Sequence, residues 1–383
     1  MKVLSIGTDR KLFEEGSAVL ERQKEYAGKM DELHIIIFSL KSGGFKEKHI
    51  EKLHIYPTNS LSRWFYIRDA IKIGKEIILK NGLNKGYSVI TVQDPFETGL
   101  VGVKLKKIFN IPLQIQIHTD FLSPYFKNSF LNRVRVFISK FTIPKADGIR
   151  VVSYVINQKL ENKKIKSDIL PVFVDVEKIF NEKPKKDLKK DFSQFDQIVF
   201  MASRLTKEKR IDVALSVFKK VIGQFPKTGL VIAGDGSEKN NLERLASQLG
   251  ISKNVIFLGW QNDVISCYKT SDVFLCTSDY EGYGMSLVEA QASGCPIVTT
   301  KVGVANSSII ISTHNRFCEI GDTDCLTKNI LYILEIFSDG SRRELFRHQI
   351  QDNIKNVAIS REEYVEKYVG LLDKLTKEHG IHK

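Results

Sequence analysis

Short apolar runs alternate with amphipathic stretches along almost the whole chain, and this rhythm restricts the fold more than any other feature. Apolar runs of this length suit strands buried on both faces, and stretches with apolar residues three and four apart suit the helices that cover them. Strands are expected at 2–6, 33–39, 52–56, 88–93, 113–117 and 149–153, with helices such as 62–80, 97–109 and 130–141 between them. A second series follows, with strands at 198–202, 230–233, 255–258, 273–276 and 297–300 and helices at 209–222, 239–249 and 285–292. Beyond residue 324 the pattern is helical, at 324–337, 341–357 and 361–377. Strand and helix in strict succession make parallel sheets covered by helices, so the expected class is α/β with two similar domains. The stretch 176–197 between them is dense in charge, holds Lys185-Lys186 and Lys189-Lys190 with Pro184, and reads as a linker. The expected division is a domain 1–176, a charged linker 177–197, a domain 198–357 and a terminal helix 358–383.

Composition closes off several classes. With 383 residues, 42% of them hydrophobic and 27% charged, the chain is long enough for two cores and unlike disordered or fibrous sequences. No run approaches the roughly 18 apolar residues of a membrane span. The first seven residues are too short for the apolar region of a signal peptide and read as a first strand, so a soluble chain in the cytoplasm is expected. Five cysteines, at 267, 276, 295, 318 and 325, form no Cys-x-x-Cys and are expected as reduced thiols, the first three in the core. The eight histidines are scattered, and no metal site is expected. A formal net charge of +13 suits anionic partners, yet no nucleic-acid signature accompanies it, so nucleic acid is not among them.

Parallel sheets bind ligands in the loops after their strands. The strongest candidate is Thr277-Ser278-Asp279-Tyr280-Glu281-Gly282-Tyr283-Gly284-Met285-Ser286, after the strand at 273–276. Gly282 and Gly284 permit a tight turn, and the amides of Gly284, Met285 and Ser286 are donors at a helix start, suited to phosphate. Glu281 before that helix and Glu289 inside it can accept from sugar or ribose hydroxyls; Glu281 could instead serve only the helix dipole, and Glu289 a solvated face. Four cations stand in Arg204-Leu205-Thr206-Lys207-Glu208-Lys209-Arg210, after the strand at 198–202, where they could neutralise a diphosphate. Gly234-Asp235-Gly236 turns from strand to helix and would allow close approach of a ligand or serve as a plain turn. His118, in Ile117-His118-Thr119-Asp120, ends a strand of the first half; a structural histidine fits the spacing equally. The first loop, 8–16, has one glycine, Gly16, and no Gly-x-Gly-x-x-Gly, which speaks against a dinucleotide oxidoreductase.

Taken in order, Ser203-Arg204-Leu205…Lys209, Gly234-Asp235-Gly236 and Glu281-Gly282-Tyr283-Gly284…Glu289-Ala290…Gly294-Cys295-Pro296 resemble the signatures of the retaining GT-B glycosyltransferases of family 4, and Leu170-Pro171-Val172…Val174-Asp175 extends the likeness. The resemblance implies two Rossmann-like domains facing across a cleft, with terminal helices crossing back to brace the first. It implies a nucleotide-sugar donor, UDP-sugar before GDP-sugar, held by the second domain, an acceptor held by the first around Gly16 and Asp120, and no metal or other cofactor. Carried over, Arg204 and Lys209 hold the diphosphate, Glu289 the ribose, and Glu281 the sugar ring. The amides from Tyr283 to Ser286, with Gly282, Gly234 and Gly236, line the donor, and His118 sits beside the transferred sugar. The acceptor is then a glycan or a lipid-linked hydroxyl in cell-surface polysaccharide or glycolipid synthesis.

Two other readings stay open on the same architecture: a nucleotide-sugar epimerase or phosphorolytic enzyme, and a catalytically silent nucleotide-binding protein. The segment 126–141 interleaves cations with large apolar residues. It suits either peripheral contact with an anionic membrane face or an ordinary helix burying its apolar side.

Overall fold

A computed structural model describes residues 1–305, 307, 310, 314–338, 340–355 and 357–381. The chain forms two compact units, one of Met1–Pro171 with the residues from Ser360 on, the other of Val172–Ile359.

The first unit is built on an eight-stranded sheet: β1 Lys2–Gly7, β2 Glu32–Ile37, β3 Lys48–Ile50, β4 Leu53–Pro57, β5 Ser88–Val92, β6 Leu113–Ile117, β7 Gly148–Val151 and β8 Asp168–Ile169. Their order is β3-β4-β2-β1-β5-β6-β7-β8, parallel except where β3 pairs antiparallel with β4. Val3, Ile6, Ile35, Ile90 and Ile115 are buried, as continuous apolar strands under two helical layers require. The helices Tyr66–Lys80, Glu97–Phe109 and Phe130–Thr142 lie side by side in one layer. A Cβ on Gly102 of the middle helix would stand 2.7 Å from the side chains of Val92 and Leu113, so that layer covers their face. Successive side chains alternate across a sheet, and Thr91, Gln114 and Gln116 point the other way, towards Tyr368 on the terminal helix Arg361–Ile381.

In the second unit six parallel strands, β9 Gln197–Ala202, β10 Thr228–Ala233, β11 Val255–Gly259, β12 Val273–Cys276, β13 Ile297–Thr300 and β14 Arg316–Cys318, run in the order β11-β10-β9-β12-β13-β14. Val199, Phe218, Leu230, Ile330 and Leu334 lie in its core. Three short strands, β3, β8 and β14, were not expected, because pieces of two or three residues carry no periodic signal.

Two expectations need correction. The stretch expected as a linker forms the helices Val176–Asn181 and Leu188–Asp191, and Leu188 is buried in the second unit. Lys189 reaches the fully buried carboxylate of Asp272 at 2.8 Å, which also meets Arg343 at 3.0 Å and the amide of Ile198 at 2.8 Å. A lysine run looks solvated when its buried counter-charge lies some eighty residues away. The cysteines are also not all reduced. Cys318 at the end of β14 and Cys325 in the first turn of helix Thr323–Phe337 form a disulfide, while Cys267, Cys276 and Cys295 are free and buried. Spacing alone could not report that this helix start folds back onto the strand it follows. Among the described residues, no helix is long and apolar enough to cross a membrane.

Candidate functional site

Strand order in the second sheet reverses between β9 and β12, so the loops after these neighbours diverge, which is where open parallel sheets hold ligands. The two loops are tied together. The Thr277 hydroxyl donates to the carbonyls of Lys209 at 3.0 Å and Arg210 at 2.9 Å, and the Asp279 amide donates to Glu208 O at 2.8 Å. Across this junction Lys209 Nζ meets Glu281 Oε1 at 2.5 Å, and the Ser278 hydroxyl donates to the same oxygen at 2.8 Å. Both side chains keep little exposure, 12% for Lys209 and 14% for Glu281. Arg210 takes φ +48°, the left-handed region, and its guanidinium is anchored by Asp212 and Asp279, each at 3.2 Å. Arg204 does not close on this pair; its exposed guanidinium reaches Glu208 at 3.3 Å.

Helix Met285–Ala292 starts at Gly284, whose φ of +89° suits glycine alone among common residues. Its first amides have no acceptor within the helix and open where the loop ends. Met285 is exposed, Ser286 and Gly282 are half-buried, and Tyr283 is buried. The carbonyl of Tyr283 accepts from Val304 N at 2.8 Å, and Gly303 passes so close that a Cβ would stand 2.3 Å from that oxygen.

Glu289, half-buried in this helix, receives the Tyr268 hydroxyl at 3.3 Å. Tyr268 is fully buried edge-on to Phe200 and Phe274. Burial pushes the Glu289 carboxyl above its ordinary value, with the Tyr268 bond opposing. A desolvated carboxylate with spare acceptor capacity is suited to a ligand diol rather than to a solvated face.

Gly234 and Gly236 lie against the loop after β9. A Cβ on Gly234, at φ +134°, would stand 1.9 Å from Ser203 O, and one on Gly236 would stand 2.3 Å from Leu205 O. Leu205 N donates to Asp235 O at 2.9 Å and Glu238 N to Leu205 O at 2.9 Å. These glycines latch the loop after β10 against the loop that carries Arg204.

In the first unit, His118 follows β6, with its Nε2 in a part-buried contact. Gln116 Oε1 accepts from Arg150 Nη1 at 2.8 Å and stands 3.0 Å from His118 Nε2. An oxygen accepting from a guanidinium can only accept from the second neighbour, so Nε2 carries the hydrogen and Nδ1 is left as an acceptor. Crowding by surrounding protein, with the Arg150 charge, lowers the His118 pKa and keeps the ring neutral. The terminal helix completes the network: Arg150 Nη2 donates to Tyr364 Oη at 2.7 Å, and Gln116 Nε2 reaches Tyr368 Oη at 3.3 Å.

Asp120 is turned inward, where Lys159 Nζ meets it at 2.5 Å and the Ser123 amide at 3.1 Å. Its carboxylate holds the turn. Gly16, at φ +70°, lies exposed before Ser17, which caps helix Ala18–Gly28. The tight approach in this region belongs to Gly7, where a Cβ would stand 2.4 Å from Gln93 Oε1. Among the described residues, no group of three or more His, Cys, Asp or Glu side chains could hold a metal ion.

Sequence reading missed Ser278, Tyr268, Gln116 and Arg150. Ser278 lay inside a flagged loop, and Gln114 and Gln116, polar residues in a buried strand, were a visible signal. Tyr268 offered none.

The family "Glycosyl transferases group 1" matches residues 182–356. The chain is 31% identical over 201 residues to the N-acetyl-alpha-D-glucosaminyl L-malate synthase of Bacillus anthracis, covering 51% of this chain and 52% of that protein. It is 27% identical over 225 residues to the alpha-monoglucosyldiacylglycerol synthase of Streptococcus pneumoniae, covering 55% and 51%. The matched stretches thus span about half the length of these curated relatives. The crystal structure of HepE from Anabaena in complex with UDP and glucose superposes with a TM-score of 0.73 at 16% identity, over 98% of this chain and 100% of that one. Residues 182–356 thus match the glycosyl transferases group 1 family, on a chain with the two parallel-sheet α/β domains of the HepE structure.

Proposed function

We propose that the chain is a retaining glycosyltransferase of family 4. It moves a sugar from a nucleotide-sugar donor, UDP-sugar before GDP-sugar, to a hydroxyl of a glycan or lipid-linked acceptor in cell-surface polysaccharide or glycolipid synthesis. It works in the cytoplasm, at the inner face of the cell membrane. The observation that carries this reading is the Lys209–Glu281 pair at the switch point, beside an open helix start and a half-buried Glu289. The HepE complex with UDP and glucose supports the choice of base, and the diacylglycerol named for the pneumococcal relative supports a lipid acceptor.

Breaking a glycosyl phosphate bond leaves a diphosphate and an oxocarbenium-like sugar. Lys209 and Arg204 neutralise the diphosphate together with the amides from Tyr283 to Ser286, so no metal or other cofactor is required. Glu289 receives the ribose hydroxyls, and Glu281 contacts the sugar ring. On the first unit, His118 Nδ1 accepts from a hydroxyl of the transferred sugar. The acceptor hydroxyl attacks the face the phosphate leaves, and a phosphate oxygen takes its proton, so configuration is retained.

Incubation with a panel of UDP- and GDP-sugars without acceptor, scored for nucleotide release beside Arg204→Ala, tests the donor. Slow release from one donor, lost in the variant, is expected. Absence of both release and thermal shift with UDP and GDP would overturn the donor site and favour a silent nucleotide-binding protein. Turnover that requires free orthophosphate would instead identify a phosphorolytic enzyme.

A further inference from the structure

Helix Phe130–Thr142 is amphipathic with its faces reversed. Phe130, Val134, Phe137 and Phe141, spaced four, three and four apart, form one stripe, and a core-facing stripe of this kind is normally buried. Here Phe130 is 82%, Phe137 73% and Phe141 50% exposed. The side turned to the unit holds Ser139 and Thr142, both buried, with Val136 half-buried; Thr142 Oγ1 donates to Pro95 O at 2.5 Å, and Arg135 pairs with Glu97 at 3.0 Å. Nothing in the core needs the aromatic stripe, and it stands against water on the outside of the helical layer.

The charge beside the stripe is of one sign. No Asp or Glu occurs from residue 121 to 146, while Lys127, Arg133, Arg135, Lys140 and Lys145 all do. Among the described residues, only Arg135 of these five has a carboxylate partner. Lys145 Nζ stands 3.5 Å from the centre of the Phe141 ring, a cation at the edge of the apolar stripe. A second exposed apolar group belongs to the same layer. Helices Tyr66–Lys80 and Phe130–Thr142 both begin beyond the carboxyl ends of their strands and flank Glu97–Phe109. Just before the first of them Trp64 is 92% exposed, with Leu61 exposed beside it.

We propose that this face of the first unit docks on an anionic lipid bilayer. The aromatic stripe and Trp64 lie at the level of the headgroups and upper acyl chains, with Lys127, Arg133, Lys140 and Lys145 on the lipid phosphates. Charge selects this occupant over a second copy of the chain. A two-fold interface would set the same carboxylate-free cationic patch against itself. The inference deepens the lipid-linked acceptor reading and rests on it for what docking serves; docking itself is read without sugar transfer.

Co-sedimentation of the full chain with vesicles of phosphatidylcholine alone, and with about 30% phosphatidylglycerol added, tests it. Roughly tenfold stronger binding to the anionic vesicles is expected, weakening with salt. The exposed-face variants F130S/F137S/F141S and R133E/K140E should each lose most of that binding while keeping the melting temperature and UDP-induced shift of the parent. With Trp260 replaced in W260F, Trp64 is the one remaining tryptophan, and its emission should move to the blue on anionic vesicles. Equal binding to both vesicles, or unchanged binding by the triple phenylalanine variant, would overturn the proposal. A dimer in solution that the triple variant dissolves would overturn it in favour of self-association. Failed nucleotide release with intact vesicle binding would sink the donor reading and leave the docking face standing.

Discussion

Lys209 Nζ and Glu281 Oε1 lie 2.5 Å apart although 72 residues separate them in the chain. The pair crosses the junction between the loops of β9 and β12, where donor chemistry is proposed. Under that proposal a diphosphate seated there competes with Glu281 for the ammonium and leaves the carboxylate free for the sugar. Lys209→Ala and Glu281→Ala should each lower transfer by about 10²–10³-fold with the fold retained. The double variant separates structure from chemistry. Activity restored when both are removed would mean that the pair is only a structural tie, whereas a double variant as inactive as the singles supports ligand contact.

Glu289→Gln should weaken UDP binding roughly 10–100-fold in calorimetry, the loss expected for bonds to an ionised acceptor. Burial raises the Glu289 carboxyl above its ordinary 4.5, so it takes up a proton earlier as pH falls. UDP affinity should therefore begin to decline while the pH is still above 4.5, and the Gln variant should lack that decline. Tyr268→Phe removes the bond that opposes the shift and should move the decline to higher pH.

For Gln116 the expected effect is on turnover rather than donor binding. Gln116→Leu frees the His118 ring to either tautomer and leaves Arg150 without one acceptor, so kcat should fall about tenfold while UDP affinity is unchanged. Gln116→Glu keeps an acceptor for both neighbours and should restore part of the rate. Its carboxylate also favours the imidazolium and should shift the acid limb of the pH profile upward. A Leu variant with parental kcat would remove His118 orientation from the mechanism.

Gly234 and Gly16 both sit at positive φ, yet alanine should cost different amounts at the two sites. At Gly234 the new Cβ would meet Ser203 O at 1.9 Å, so Gly234→Ala must displace the loop carrying Arg204. A loss of several degrees in melting temperature and of UDP binding is expected. Gly16 has no atom within 4 Å of its would-be Cβ, and alanine there costs only the left-handed conformation, about 1 kcal/mol. Equal melting temperatures for the two variants would contradict the latch.

Asp94 supplies a pH test of stability. Its carboxylate accepts from the amides of Phe96 at 2.7 Å and Thr98 at 3.3 Å, at the start of helix Glu97–Phe109. Burial first, then Glu97, pushes its pKa from 3.8 up to about 6. The folded chain thus holds this proton longer than the unfolded one. Its contribution to stability is best below 3.8, falls as pH rises to about 6, and stays low above that. Asp94→Asn keeps the acceptor and removes the charge, so melting should rise by a few degrees near pH 7.5, with the gain absent near about pH 3.5. An Asn variant less stable at both values would show that the carboxylate makes a contact the amide cannot.

Sequence alone determined the two parallel-sheet domains and the loops around Lys209, Glu281 and Glu289. Strand burial and helical period are local properties that the residues carry in order. Helices Glu97–Phe109 and Met285–Ala292 fall on the expected residues. The sequence left open which polar groups meet, because that depends on elements distant in the chain. Folding placed Asp272 under Lys189, Tyr268 against Glu289, and Gln116 between Arg150 and His118. It turned Asp120 inward and joined Cys318 to Cys325. It also decided which side of helix Phe130–Thr142 meets water. The heptad-like spacing of its aromatics fits burial and membrane contact alike, and only the packing of Ser139 and Thr142 against the unit leaves the phenylalanines outside.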